Sequence, residues 1–238
     1  MRQFLLGLRH LIYPGECLAC QAVLPPDEHD FCRGCRAELC EDPHETCPKC
    51  GSTVGPHADI SRGCPRCRSE RFAFDKVFRL GQYERKRREV ILLAKRPSGE
   101  FASEVLGRLW AAKLAEHLSE ESVSVVVPVP LHWRRRWHRG FNQSLAPAES
   151  LASALGVPCL TRLLRRRRAT VPQTSLTPSG RRTNLLGAFS VTPSTELKGR
   201  TVVLVDDVLT TGGTAHAAAR ILRDVGVARV LVAVLARA

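Results

Sequence analysis

The chain has 238 residues, is 44% hydrophobic and carries a formal net charge of +13 at pH 7. These values describe an ordinary globular protein with room for an enzyme-sized core, and no run approaches the ~18 uninterrupted apolar residues of a membrane-spanning helix. Of its 36 basic residues only six are lysines (Lys49, Lys76, Lys86, Lys95, Lys113 and Lys198); the arginine fork suits phosphate, which admits nucleic acid or phosphorylated substrates, although genomic base composition explains the same ratio.

In chain order, residues 1–14 (MRQFLLGLRHLIYP) read as a short amphipathic helix, because Arg9 and His10 interrupt the apolar residues before a signal-peptide core is reached. This places the protein in the cytoplasm and leaves open a peripheral seat on the inner face of the membrane. Four CxxC pairs follow: Cys17/Cys20, Cys32/Cys35, Cys47/Cys50 and Cys64/Cys67. Two residues between thiolates let both sulfurs face one ion across a tight turn, and two such turns complete a tetrahedral zinc site. The reading is two sequential zinc ribbons, the first using Cys17, Cys20, Cys32 and Cys35, the second Cys47, Cys50, Cys64 and Cys67. Gly34, Gly51 and Gly63, with Pro48 and Pro65, supply the turn chemistry. Disulfides are the weaker account because no secretory signal precedes the pairs, and four pairs exceed what one redox site needs. Cys40 and Cys159 fit neither scheme and are expected to be free buried thiols.

The cysteine-rich front has few aromatics (Tyr13, Phe31, Phe72, Phe74), so metal is expected to supply its stability, in closed sites without hydrolytic chemistry. Each Zn(Cys)4 carries about −2, which lowers the true net charge to roughly +9. The chain changes character after Arg68, and the expected division is a double zinc ribbon over 1–70 and a second domain over 71–238. Bracing of the second domain is the preferred role of the ribbons; contact with DNA stays open.

The second part reads as an extended piece at Lys76–Tyr83, helices at Glu84–Ala94 and Glu100–Ser119, a strand over 122–130, a helix at Ser144–Leu155, and strands over 158–164, 187–193 and 201–208. A helix at Gly213–Val225 and a strand over 228–236 complete it. The apolar runs Val123–Val129, Val202–Val205 and Val230–Leu235 do not alternate strictly, so both faces of those strands are covered. The fold class is α/β, an open and mostly parallel sheet, with its ligand at the carboxyl ends of the strands.

The run TVVLVDDVLTTGGTA, Thr201–Ala215, carries the chemistry. Adjacent carboxylates at a buried strand end, Asp206 and Asp207, are costly unless hydroxyls or a cation satisfy them. Thr210, Thr211, Gly212, Gly213 and Thr214 then offer backbone N–H groups and hydroxyls at the positive end of a helix, a cradle for phosphate. Carboxylates for sugar hydroxyls and N–H groups for phosphate match one ribose 5-phosphate. Mg²⁺ on the aspartate pair and a local cap are the alternatives, and no GxxxxGK[ST] loop is present.

Thr201–Ala215 resembles the phosphoribosyl pyrophosphate signature of type I phosphoribosyltransferases. With VPVPLHWRRRWHRGFNQ (Val127–Gln143), Thr170–Phe189 containing Pro172, Gln173, Arg181, Asn184 and Gly187, and the cysteine-rich front, the chain resembles the ComF/GntX family of competence-associated, phosphoribosyltransferase-like proteins. The resemblance covers nearly all of the chain. It implies that Val127–Leu131, with Val129, faces pyrophosphate, with Arg139, Asn142 and Gln143 beside it. It also makes Arg165–Arg182 a closing lid that brings in Gln173 and Arg181. Arg134, Arg135 and Arg136 add charge there or are solvated. Family members carry an LKYxG-like stretch where this chain has Leu93–Gly99, keeping Lys95 but not the aromatic, and TTGAT where it has TTGGT, a looser loop with no donor lost.

The reaction so implied is displacement of pyrophosphate from C1 of ribose by a nitrogen nucleophile, with Mg²⁺ and arginines neutralising the leaving charge and no covalent intermediate. His132 and His138 read as structural or phosphate-facing rather than as a general base. A rival reading is a single-stranded-DNA-handling competence protein. It draws on the basic segment His132–Thr183, which has eleven arginines and one acid, Glu149, and on Trp133, Trp137 and Phe141, for which core packing is nevertheless the preferred expectation. A third reading is a regulator that senses phosphoribosyl pyrophosphate. The acceptor and any oligomer are not specified by the sequence.

Overall fold

The computed structural model describes residues 15–167, 187–192 and 197–238. The amphipathic helix expected over 1–14 and most of the expected lid, including Gln173 and Arg181, lie outside the described residues.

The front begins with two knuckles of the same design. A single antiparallel bridge, Glu16 to Val23 in the first and Thr46 to Thr53 in the second, closes each turn. Only the first is followed by a helix, α1 (Arg33–Cys40), which starts inside the second CxxC pair and buries Cys35 and Leu39. Sequence periodicity did not reveal α1, since its eight residues span barely two turns.

Behind the ribbons stands a four-stranded sheet of β1 (Lys76–Gln82), β2 (Val125–Pro128), β5 (Thr201–Leu209) and β6 (Arg229–Arg237). Its order is β1-β6-β5-β2 and every pairing is parallel. The unbroken apolar runs have the meaning expected of them: all four residues of β2 are buried, and so is β6 after Arg229. Helices α2 (Arg85–Ala94), α3 (Glu100–Leu118) and α5 (Leu145–Leu155) form one covering layer, and α6 (Gly213–Asp224) lies on the other face. Trp110 of α3 is wholly buried, and its indole N–H donates to the Val234 carbonyl at 3.0 Å, so the layer is fixed by a directional bond as well as by packing.

Two expectations need correction. The predicted strand over 158–164 does not join the main sheet as a strand. Pro158 has no N–H to extend a ladder, Cys159 makes one bridge to Val126, and a turn closes from the Leu163 N–H to the Leu160 carbonyl. The chain then forms β3 (Leu164–Arg166), which pairs antiparallel with β4 (Phe189–Val191) in a separate two-stranded sheet. Second, Trp133 and Trp137 are not in the core. They lie on α4 (Trp133–Arg139) and are 60% and 84% exposed. Five of the seven residues of α4 are arginine or histidine, so the helix has no apolar face to bury.

Three arginines fasten the ribbons to the sheet. Arg79 of β1 donates to Asp42 at 2.8 Å, to the Gly51 carbonyl and to Thr53. Arg87 of α2, 7% exposed, donates to the carbonyls of Glu38, Leu39 and Glu41 at the end of α1 and to that of Gln82. It reaches them by lying on Gly81, where a Cβ would sit 2.4 Å from the guanidinium carbon. Arg237, at the end of β6, donates to the Cys50 carbonyl at 3.0 Å. The edge of β1 is also covered, because the Val77 N–H donates to the Pro48 carbonyl of the second knuckle.

Candidate functional site

β2 and β5 lie side by side with Pro128 opposite Val205, so the loop after β2 and the acidic end of β5 meet at one edge of the sheet. Val129 is buried and its N–H donates to the Val205 carbonyl, while Asn142 donates from its amide to the Val129 carbonyl at 3.2 Å. Asn142 thus latches the loop for which the family resemblance implies a pyrophosphate-facing role.

Asp207 is the centre of a polar chain. Lys95, at the C-cap of α2, lies 2.6 Å from its carboxylate. Gln143 donates to the same carboxylate at 3.3 Å and in turn accepts from Arg139. Lys95, Arg139, Gln143 and Asp207 are therefore brought together in one polar chain. Lys95 Nζ also lies 5.9 Å from the Tyr83 ring centroid.

Asp206 accepts from the Ser144 hydroxyl at 3.2 Å and from the Asp207 N–H at 2.9 Å. Burial, reinforced by the neighbouring Asp207 charge, pushes the Asp206 carboxyl up to about 7. Ser144, 1% exposed, was not singled out in the sequence; its position directly after Gln143 and before a helical pattern was the available signal. Burial likewise lowers the Arg139 guanidinium from its ordinary value.

Beyond the carboxylates, Thr210 and Thr211 are exposed and Gly212 is the N-cap of α6 with φ +80°. That left-handed conformation turns the strand end into the helix start, and it is one that glycine adopts without strain. Gly213 and Thr214 form the first turn, so the positive end of the helix follows directly on the strand that carries Asp206 and Asp207 near its end.

The histidines divide. His132 is 5% exposed and its ring lies 5.5 Å from that of Trp133, a structural placement, whereas His138 is exposed. Cys40 and Cys159 are free but only half-buried, because Cys40 closes α1 at the surface and Cys159 sits on the outer edge of β2. Burial raises both thiols, Cys159 to about 11.

The eight paired cysteines converge as two clusters with the predicted membership, the first more open and the second fully buried. Sulfur separations are 3.8 Å for Cys20–Cys32, 3.7 Å for Cys47–Cys67, 3.6 Å for Cys50–Cys64 and 3.8 Å for Cys64–Cys67. A tetrahedron with metal–sulfur bonds of ~2.3 Å has edges of ~3.8 Å, whereas a disulfide brings sulfurs to ~2.05 Å. All eight thiols are free and fit a structural zinc ion in each cluster.

Comparison with known proteins agrees with this construction. A phosphoribosyl transferase domain model matches residues 142–238 and a double zinc ribbon domain model matches residues 8–71. The chain is 32% identical over 193 residues to Competence protein F of Haemophilus influenzae, spanning 79% of this chain and 83% of that protein. It is 32% identical over 233 residues to the DNA utilization protein YhgH of Salmonella typhimurium, spanning 95% and 99%. Competence protein ComFC of Bacillus subtilis is 34% identical over 102 residues, 43% of this chain and 39% of its own length. Among the described residues no helix is long and apolar enough to cross a membrane. The joint presence of the two domain types, with similarity that spans most of the Haemophilus protein and nearly all of the Salmonella protein, places the chain in the ComF family.

Proposed function

We propose that the chain binds phosphoribosyl pyrophosphate with Mg²⁺ at the carboxyl ends of β2 and β5 and transfers the phosphoribosyl group to a nitrogen acceptor. The observation that carries this reading is a carboxylate pair, Asp206 and Asp207, followed within eight residues by a glycine-turned helix start at Gly212. The 2- and 3-hydroxyls of ribose donate to the carboxylates, and the 5-phosphate accepts from the N–H groups of Thr210–Thr214. Val129 and Arg139 border the region that the pyrophosphate occupies, and Gln173 and Arg181 belong to the lid inferred from the family.

As the nitrogen attacks C1, the bond from C1 to the pyrophosphate oxygen breaks and the nitrogen loses its proton to solvent. Arg139 and Lys95 place positive charge beside the departing group and the carboxylates, so the protein's contribution is positioning and electrostatics. A carboxylate pair is a hard-oxygen donor set suited to Mg²⁺, which supplies charge neutralisation when bound with the pyrophosphate. In this reading residues 1–70 brace the catalytic part, 71–238, and the names of the relatives link the activity to DNA uptake or use.

A second reading is favoured by the exposed tryptophans. Trp133 and Trp137 stand one helical turn apart on a helix that also exposes Arg135 and Arg136, a stacking platform with charge for single-stranded DNA.

A screen for pyrophosphate release across nitrogenous acceptors separates these readings. Turnover that disappears in Asp206→Ala/Asp207→Ala supports transfer. Binding without turnover for any acceptor reassigns the site to a sensor of phosphoribosyl pyrophosphate, and absence of binding overturns the assignment.

A further inference from the structure

The second cysteine cluster and the phosphate loop share a residue. Arg237 is 6% exposed; its Nε donates to the carbonyl of Cys50, a member of the cluster, and its Nη1 donates to the carbonyls of Leu209, at 3.0 Å, and Thr210. Leu209 and Thr210 are where β5 ends and the loop begins, so one guanidinium joins the metal knuckle to the first bend of the loop. Burial and the nearby Arg66 and Arg79 act against its charge, while the sulfurs of Cys50 and Cys64 favour it. A zinc tetrathiolate with net charge about −2 is a suitable counter-charge for a buried guanidinium.

The loop is held from its other side by the segment that leaves the same cluster. Phe72 packs on Cys47, Cys50, Cys64 and Cys67, and its ring stacks on Phe74 with centroids 4.5 Å apart. A Cβ on Gly212 would lie 3.2 Å from Phe72 Cε1, so the turn rests directly on that ring. The neighbouring Ala73 N–H donates to Nδ1 of His216, in the first turn of α6, at 3.1 Å. The first cluster is attached elsewhere: Arg87 joins α1 to α2, and Asp30 lies 3.4 Å from Arg108 of α3.

We propose that Arg237 is a positioning residue through which the metal knuckle at Cys47–Cys50 sets the geometry of the phosphate loop, so that occupancy of the second cysteine cluster, and not of the first, controls anion binding. The proposal rests on the assignment of Thr210–Thr214 to phosphate, and it extends that assignment by giving the ribbon a specific share in the site. Loss of the second zinc releases the Cys50 carbonyl and the Phe72 ring together, and the loop loses support on both sides.

The test is amide hydrogen exchange across residues 206–217 in the zinc-loaded full chain, with calorimetric affinity for Mg²⁺–phosphoribosyl pyrophosphate measured in parallel. Arg237→Gln is expected to keep two zinc ions, speed exchange in the loop roughly tenfold and weaken affinity by a similar factor, since hydrogen bonds from a charged donor are lost. Cys64→Ser, lacking the second zinc, is expected to loosen the loop at least as much, because the Phe72 ring is released as well, and the double variant to be no worse than Cys64→Ser alone, because Arg237 acts through the zinc-held knuckle. Cys20→Ser and Arg87→Gln are expected to leave loop exchange unchanged. Unaltered loop exchange in Arg237→Gln, additive effects in the double variant, or equal loosening by Cys20→Ser overturns the proposal. Should Arg237→Gln not fold, Arg237→Lys, which retains charge without the fork, takes its place with the same outcomes. The exchange measurement needs no ligand, so a wild-type chain that fails to bind phosphoribosyl pyrophosphate sinks the functional reading while leaving the coupling separately decided.

Discussion

Replacing Asp206 by asparagine will stabilise the ligand-free protein at pH 8 and abolish its affinity for phosphoribosyl pyrophosphate. Burial and Asp207 raise the Asp206 carboxyl from its ordinary 3.8 to about 7. A raised acid contributes stability that is complete below its unfolded value and is lost as pH rises through its folded value. Each pH unit between those two values is worth ~1.4 kcal/mol, which sets a ceiling of about 4 kcal/mol, and relaxation around a coupled pair lowers the realistic gain to about 2 kcal/mol. Asparagine keeps an oxygen for the Ser144 hydroxyl and the Asp207 N–H, so the substitution removes charge with little change of shape. Urea unfolding of wild type and variant in zinc-replete buffer at pH 5.5 and pH 8 reads the difference directly. The advantage of the variant should grow with pH and level off above about 7. An advantage that is constant, or that grows towards acid, would refute the argument.

Metal analysis should find about two zinc ions per chain, and a chelator should remove them in two phases. The first cluster, with Cys20 exposed, should lose its ion before the wholly buried second one; a single phase contradicts the difference in burial. Arg87→Met leaves the Glu38, Leu39, Glu41 and Gln82 carbonyls without their shared donor and should cost about 3 kcal/mol in chemical unfolding, with zinc content unchanged. If α4 handles single-stranded DNA, Trp137→Ala should weaken binding of an oligonucleotide by roughly tenfold or more, and neutralising Arg135 and Arg136 should flatten the dependence on salt. Binding that ignores both changes removes α4 from consideration.

The parallel sheet was legible because its strands are buried on both faces, and that burial writes Val126, Val203 and Val232 into unbroken apolar runs. The cysteine clusters were legible because a tetrahedral ion dictates ligand spacing almost independently of the rest of the chain. The acidic strand end was readable for a similar reason: adjacent carboxylates at the end of a buried strand are costly without partners, and here Asp207 is buried and Asp206 half-buried. What escaped was set by tertiary position. Nothing local distinguishes Arg87 and Arg237 from other arginines, yet both are buried as donors to carbonyls supplied by distant segments. Ser144 gained its role only when β5 placed Asp206 against the start of α5. Trp133 and Trp137 were misjudged because tryptophan generally favours burial, whereas α4 has no apolar partner face to provide it.

The central claim concerns the pairing of Asp206 and Asp207 with the loop at Gly212, and isothermal titration of the zinc-loaded chain with phosphoribosyl pyrophosphate and Mg²⁺ tests it most directly. The account predicts saturable binding at one site per chain, lost in Asp206→Ala/Asp207→Ala while two zinc ions remain bound. Undiminished binding by that double variant, or no binding by the wild type, would contradict it.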